Sequence, residues 1–188
     1  APGDLVTFAS PFFDTPRTIV TGGSALLIAK ALAIVGPGAH RLTISANNQN
    51  RIFWINPGGA SRVTLTGLRV TGGNWFDGGG IYAESGNLLI HGCDISGNHA
   101  NNGGGILTEG TAGLSMYDSS VNGNDSNSVG PGMMINGSGP NRLERVTISG
   151  NWTPSSAGAI STGAPVTVVA STVTGNRFGA GAAIEATN

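Results

Sequence analysis

Glu84 and Glu109 stand 25 residues apart, at the ends of two matching segments, Ile81-Tyr82-Ala83-Glu84 and Ile106-Leu107-Thr108-Glu109. If the chain folds so that positions this far apart become neighbours, the two carboxylates approach to ~5 Å. A pair at that separation can share a proton, hold a cation or serve as the acid and nucleophile of a retaining glycoside hydrolase. Asn136 occupies the same place in the next segment. The competing account is two solvated glutamates on a turn, tolerating each other through ionic screening.

A second set recurs at spacings of 26 and 27: His91, Tyr117 and Glu144. Each directly follows an inward apolar residue, Ile90, Met116 or Leu143, of an alternating segment, so all three belong to one outward column if the segments pair as strands. His91 then suits a general base, and Tyr117 suits a proton donor or a flat face for a sugar. An ordinary polar surface ladder explains the same spacing.

The third set is aromatic. Trp75, Phe76 and Asp77 follow one another where other segments carry small polar residues, and Trp152 comes just after Asn151 on what should be the same edge. Aromatics along an edge suit the faces of an extended polysaccharide, or else fold back over the corner as packing. Arg69 and Asp94 should lie opposite each other as an exposed ion pair of small energetic weight.

The chemistry must be drawn from ten acidic residues and three histidines. No zinc-ligand cluster, nucleophile elbow, phosphate-binding loop or calcium loop is present. No cofactor is expected. Calcium is the one ion that these oxygen ligands would suit, and it has no motif here. Asn124-Asp125-Ser126, Asn136-Gly137-Ser138 and Asn151-Trp152-Thr153 are formal N-glycosylation acceptors.

What must position these residues is a repeat. Aliphatic, two small or polar residues, then Asn recurs as Ile95-Ser96-Gly97-Asn98, Val121-Asn122-Gly123-Asn124, Ile148-Ser149-Gly150-Asn151 and Val173-Thr174-Gly175-Asn176, at spacings of 26, 27 and 25. A second marker runs in step: Gly78-Gly79-Gly80-Ile81, Gly103-Gly104-Gly105-Ile106, Gly130-Pro131-Gly132-Met133, Ala157-Gly158-Ala159-Ile160 and Gly181-Ala182-Ala183-Ile184. Between them lie alternating runs such as Leu88-Leu89-Ile90-His91, so each repeat offers about three short strands.

One such repeat cannot bury its own apolar face. Stacking repeats ~4.8 Å apart creates inward columns and pairs every strand with the next. The columns are Val70, Ile95, Val121, Ile148, Val173; then Leu65, Ile90, Met116, Leu143, Val168; then Leu68, Cys93, Ser119, Val146, Ser171. Cys93 is therefore expected indoors as a small hydrophobe. The asparagines read as a stacked ladder at a corner, with left-handed backbone, rather than as a binding site.

These features predict an all-β chain, a right-handed single-stranded parallel β-helix with coils of about 26 residues. Residues 1–188 form one domain, with 1–60 as irregular N-terminal capping coils and 61–188 as regular coils. The final coil has no visible cap, so either the natural chain continues or this end pairs with another chain.

Composition agrees with the architecture and removes several partners. Glycine supplies 32 of 188 residues and charged residues only 10%, which suits tight turns between short strands better than helices. A net charge of −1 without a basic cluster offers nothing to nucleic acid. No apolar run reaches the ~18 residues that a membrane span needs.

Gly3-Asp4-Leu5-Val6-Thr7-Phe8, Lys30-Ala31-Leu32-Ala33-Ile34-Val35-Gly36-Pro37-Gly38, Leu42-Thr43-Ile44-Ser45 and the Gly-Gly-Gly-Ile and Ile-Ser-Gly-Asn units resemble the bacterial CSLREAI-domain β-helix proteins over nearly the whole chain. The namesake box would lie just before Ala1. The repeats are also similar to those of chlamydial polymorphic membrane proteins, which are adhesins, with Ile or Val here in place of their aromatic. These resemblances imply an extracellular or bacterial cell-surface module, usually of unassigned activity, and the function expected of it here is non-catalytic contact with carbohydrate or protein along its side. The alternative is a polysaccharide lyase or glycoside hydrolase using Glu84, Glu109 and the His91, Tyr117 and Glu144 column. Ice binding by a Thr-rich face is disfavoured, because the outward threonines form no unbroken array.

Overall fold

The computed structural model describes residues 3–186; Ala1, Pro2, Thr187 and Asn188 lie outside them. Apart from a short 3-10 turn at Phe12–Asp14, the regular elements among the described residues are all strands, and every pairing is parallel. They stack into three seven-stranded sheets, which the chain visits in the order A, B, C on every rung. Sheet A holds Arg62–Thr66 and Asn87–His91, sheet B holds Arg69–Thr71 and Asp94–Ser96, and sheet C holds Ile81–Ala83 and Ile106–Thr108. The architecture is the expected right-handed parallel β-helix.

Alternation does the sorting, because a one-residue slip would carry an apolar column into water. The columns pair as the spacing requires: Val70 with Ile95, Ile95 with Val121, Val121 with Ile148, and Ile148 with Val173. Leu65, Ile90, Met116, Leu143 and Val168 form the sheet A counterpart. Their members are fully buried until Val168 on the last rung, which is 38% exposed. Cys93 lies inside, and burial pushes its thiol up to about 11.

Residues 4–55 join the same sheets, with Ile19, Ile44 and Val70 in one column. Phe8 and Phe13 meet edge to face at 5.0 Å and pack against the core near the start of the stack. The glycine and asparagine markers are weak or missing in this stretch, but the alternation that aligns strands is intact.

Between sheets B and C, three rungs carry an extra strand, Asn74–Asp77, His99–Asn102 and Asp125–Val129, together forming a small sheet D. The asparagines lie just before it, fully buried at Asn98, Asn124 and Asn151. The Asn98 amide donates to Asn124 Oδ1 at 3.0 Å, Asn124 to Asn151 at 3.0 Å, and Asn151 to Asn176 at 2.9 Å. Each amide also donates to a carbonyl of the preceding rung, as Asn124 does to Ile95 O at 2.9 Å. The expected left-handed backbone falls on the residue before each asparagine: Gly97, Gly123, Gly150 and Gly175 take φ between +59° and +63°. Glycine absorbs the turn, which leaves the asparagine free to face inward.

The glycine triplets answer to crowding, since a Cβ at Gly104 would collide with the carbonyl oxygen of Asp125. The corner after sheet A is left-handed too, and there Asp118, Arg145 and Ala170 adopt φ of +48°, +53° and +47°. Burial of Asn124 and Asn151 closes two of the three formal glycosylation sites. No helix among the described residues is long and apolar enough to cross a membrane.

Replacing Asn124 with Leu strands the Asn98 backbone N–H away from water, takes one acceptor from the Asn98 amide and removes the side-chain donor to the Ile95 carbonyl. At ~1–3 kcal/mol per orphaned buried group, with partial relaxation, the loss should be about 2–4 kcal/mol in urea unfolding. Asn127→Leu, on the exposed side of sheet D, should change it by less than about 0.5 kcal/mol.

Candidate functional site

Registration of Ile81 with Ile106 and of Ala83 with Thr108 brings Glu84 and Glu109 onto adjacent rungs, as their spacing implies. Their carboxylates are engaged elsewhere. Glu84 Oε2 accepts the Asn56 amide at 2.7 Å, and Glu109 Oε2 accepts the Tyr82 hydroxyl at 2.8 Å. The Asn56 carbonyl in turn accepts Ser85 Oγ at 2.7 Å. Asn136 continues the line by accepting Gly163 N at 3.0 Å. The turn is thus a ladder of carboxylates and amides, each with its own donor or acceptor.

His91, Tyr117 and Glu144 do share one outward column. His91 Nε2 lies 3.3 Å from Asp118, and Glu144 accepts Arg142 at 2.8 Å and also Arg145. Arg145 is the hub, because it also grips Asp118 through two bonds at 2.6 and 2.9 Å. Its guanidinium holds both carboxyls below the usual carboxylate range, with Arg142 first among the causes at Glu144. A carboxylate tied to two arginines is a poor proton acceptor.

The aromatic set divides. Trp75 pairs with Ala100, whereas Trp152 bridges to Asp125 and therefore stands in the column of Asn74 and His99. Trp152 is one residue out of phase with Trp75 and three rungs away, ~14 Å along the axis. Asp77 accepts the Asn102 amide at 2.8 Å, and Phe76 is the most exposed of the group at 65%. Arg69 and Asp94 face each other as expected, at 3.4 Å.

Trp75 and Glu84 instead border a cleft of about 510 Å³ on the outer face of sheet C. Its floor is the outward column Leu27, Trp54, Tyr82, in direct register on three successive rungs. Arg51 completes it. The guanidinium carbon lies 4.3 Å from the Tyr82 ring centroid and 5.9 Å from that of Trp54. Trp54, Trp75 and Leu27 remain 37%, 45% and 56% exposed, so apolar faces are open to a ligand. Burial, and then the bond to Glu109, pushes the Tyr82 phenol above its usual range and keeps it a neutral donor.

Trp54, Arg51 and Leu27 escape the sequence reading because the repeat markers are missing from the first two coils, and Tyr82, which directly follows an intact marker, escapes with them because its partners in the column do. A signal was present. Phe53 registers with Ile81, so Asn50-Arg51-Ile52 stands where the next coil has Gly78-Gly79-Gly80, and Trp54 stands where it has Tyr82. Among the described residues, no three His, Cys, Asp or Glu side chains gather as metal ligands.

A family profile described as a right handed beta helix region matches residues 36–188. No curated protein and no solved structure matches the chain.

The grip of Arg145 has a pH signature. A carboxyl whose folded value is depressed adds stability above its ordinary value of ~4 and loses it as pH falls through the depressed one. Carboxyl NMR titration should find Asp118 and Glu144 ionising below the ordinary range. Arg145→Gln should return Asp118 close to that range, while Glu144 stays partly depressed through Arg142.

Proposed function

The chain belongs to the right-handed β-helix family, and from that premise we propose that it is an extracellular or cell-surface module that binds an extended carbohydrate across the outer face of sheet C. The observation that carries this reading is the cleft itself. Leu27, Trp54 and Tyr82 rise one rung at a time beside Trp75, giving flat apolar surface for the faces of sugar rings. Arg51 and Glu84 supply a donor and an acceptor for hydroxyl groups at its border. A cleft of this size, mostly apolar with a few polar groups, is the usual form of a ligand site.

Binding is favoured over catalysis by the state of the acids. Glu84, Glu109 and Glu144 each already accept side-chain hydrogen bonds from neighbouring residues. None is left without a partner, free to hand a proton to a leaving group. The extracellular setting draws on the resemblance to bacterial β-helix surface proteins.

Titration with soluble polysaccharides should change tryptophan fluorescence, because two of the three tryptophans border the cleft. Trp54→Ala and Trp75→Ala should each weaken binding about tenfold, while Trp152→Ala should leave it within about twofold. Equal effects at Trp75 and Trp152 would move the site off sheet C, and no response to any polymer would remove the carbohydrate reading.

A further inference from the structure

Among the described residues, Arg51 is the one charged residue that is buried, and it forms no salt bridge. It is 9% exposed, yet among the described residues its guanidinium makes no hydrogen bond and no ion pair; only its backbone N–H is bonded, to Asn50 Oδ1 at 2.8 Å. Its neighbours are the faces of Tyr82 and Trp54. Aromatic faces attract a cation but accept none of its five N–H donors in the plane of the fork. No Arg51 nitrogen is a sealed-off, unsatisfied atom, so the fork of this largely buried residue opens on the cleft with its N–H donors free to meet a ligand.

On the proposed carbohydrate reading, on which this step rests, we infer that Arg51 recognises a single monoanionic group, a carboxylate or a sulfate ester, carried on a sugar ring that lies against Trp54 and Trp75. The planar fork suits two parallel bonds to such an oxyanion. The aromatic walls exclude water around the pair, which strengthens it. Burial holds the Arg51 guanidinium below its usual range, against the opposing pull of Tyr82, Asp77, Glu84 and Glu109, and an oxyanion bound on the open fork would favour the charged form. Those same carboxylates set the limit. Glu84 borders the cleft, and Asp77 and Glu109 lie close enough to act on Arg51, so a doubly charged phosphate monoester meets about twice the repulsion from these carboxylates that a monoanion does while the single fork offers it the same two bonds.

The test compares dextran, polygalacturonate and dextran sulfate by calorimetry, on the wild-type chain and on the Arg51→Gln, Arg51→Lys and Glu84→Gln variants. Wild type should bind at least one acidic polymer about tenfold more tightly than the neutral one. Which acidic polymer it prefers tells carboxylate from sulfate. Arg51→Gln should abolish the preference, and Arg51→Lys should restore only part of it, because an ammonium lacks the fork.

Since Arg51 is buried, its variants can lose the fold, and circular dichroism on the same samples checks this. Glu84→Gln keeps an acceptor for Asn56 and removes one repelling charge, so it should raise the ratio of acidic-polymer to neutral-polymer affinity several-fold, whatever it does to the neutral binding to which Glu84 itself contributes. Equal binding of neutral and acidic polymers, a preference that survives Arg51→Gln, or a fall in that ratio with Glu84→Gln would each overturn the inference while leaving carbohydrate binding intact. If no polymer binds at all, the underlying reading fails as well.

Discussion

Vertical hydrogen bonding between rungs is the interaction on which everything else in this molecule depends. Parallel pairing in sheets A, B and C fixes the rise per rung and directs alternate side chains inward. The buried amide chain through Asn98, Asn124, Asn151 and Asn176 repeats that rise with side chains. It satisfies carbonyls and N–H groups that a corner would otherwise orphan. With the rise set twice over, residues two dozen positions apart become contacts, and every surface cluster described above is a product of that arithmetic.

The fold was legible because its signals are periodic and redundant. Two markers in step predicted the register, and the inward columns through Val70 and Leu65 followed directly from it. The register also placed Glu84 beside Glu109 and His91 beside Tyr117. What periodicity cannot convey is how a side chain is occupied once it arrives. Glu109 is taken up by the hydroxyl of Tyr82 and Glu144 by two arginines, and no spacing rule contains that information.

The cleft was harder to read for the opposite reason. Most of its residues come from the first two rungs, where the markers are weak or missing, and its most telling member is a departure from the pattern. Arg51 occupies the place of a glycine whose successors in the triplet position leave no room for a Cβ. In a solenoid, regular positions report the scaffold, and exceptions to them report where the scaffold has been adapted. Trp75 was visible as such an exception, but one residue of phase separated it from Trp152 and dissolved the expected platform.

The amide chain also has a beginning. It runs from the Gly73 N–H, which Asn98 Oδ1 accepts, to Asn176, and it does not extend to the rungs that carry Leu27 and Trp54. The solenoid is therefore stapled along most of its length and merely zipped at the end where the cleft lies. Fraying should start there, and amide protons of Leu26–Ile28 and Phe53–Ile55 should exchange with solvent sooner than those of Ile106–Thr108. A ligand lying across Leu27, Trp54 and Tyr82 would clasp the loosest rungs together, so occupancy of the cleft and integrity of that end become one coupled equilibrium.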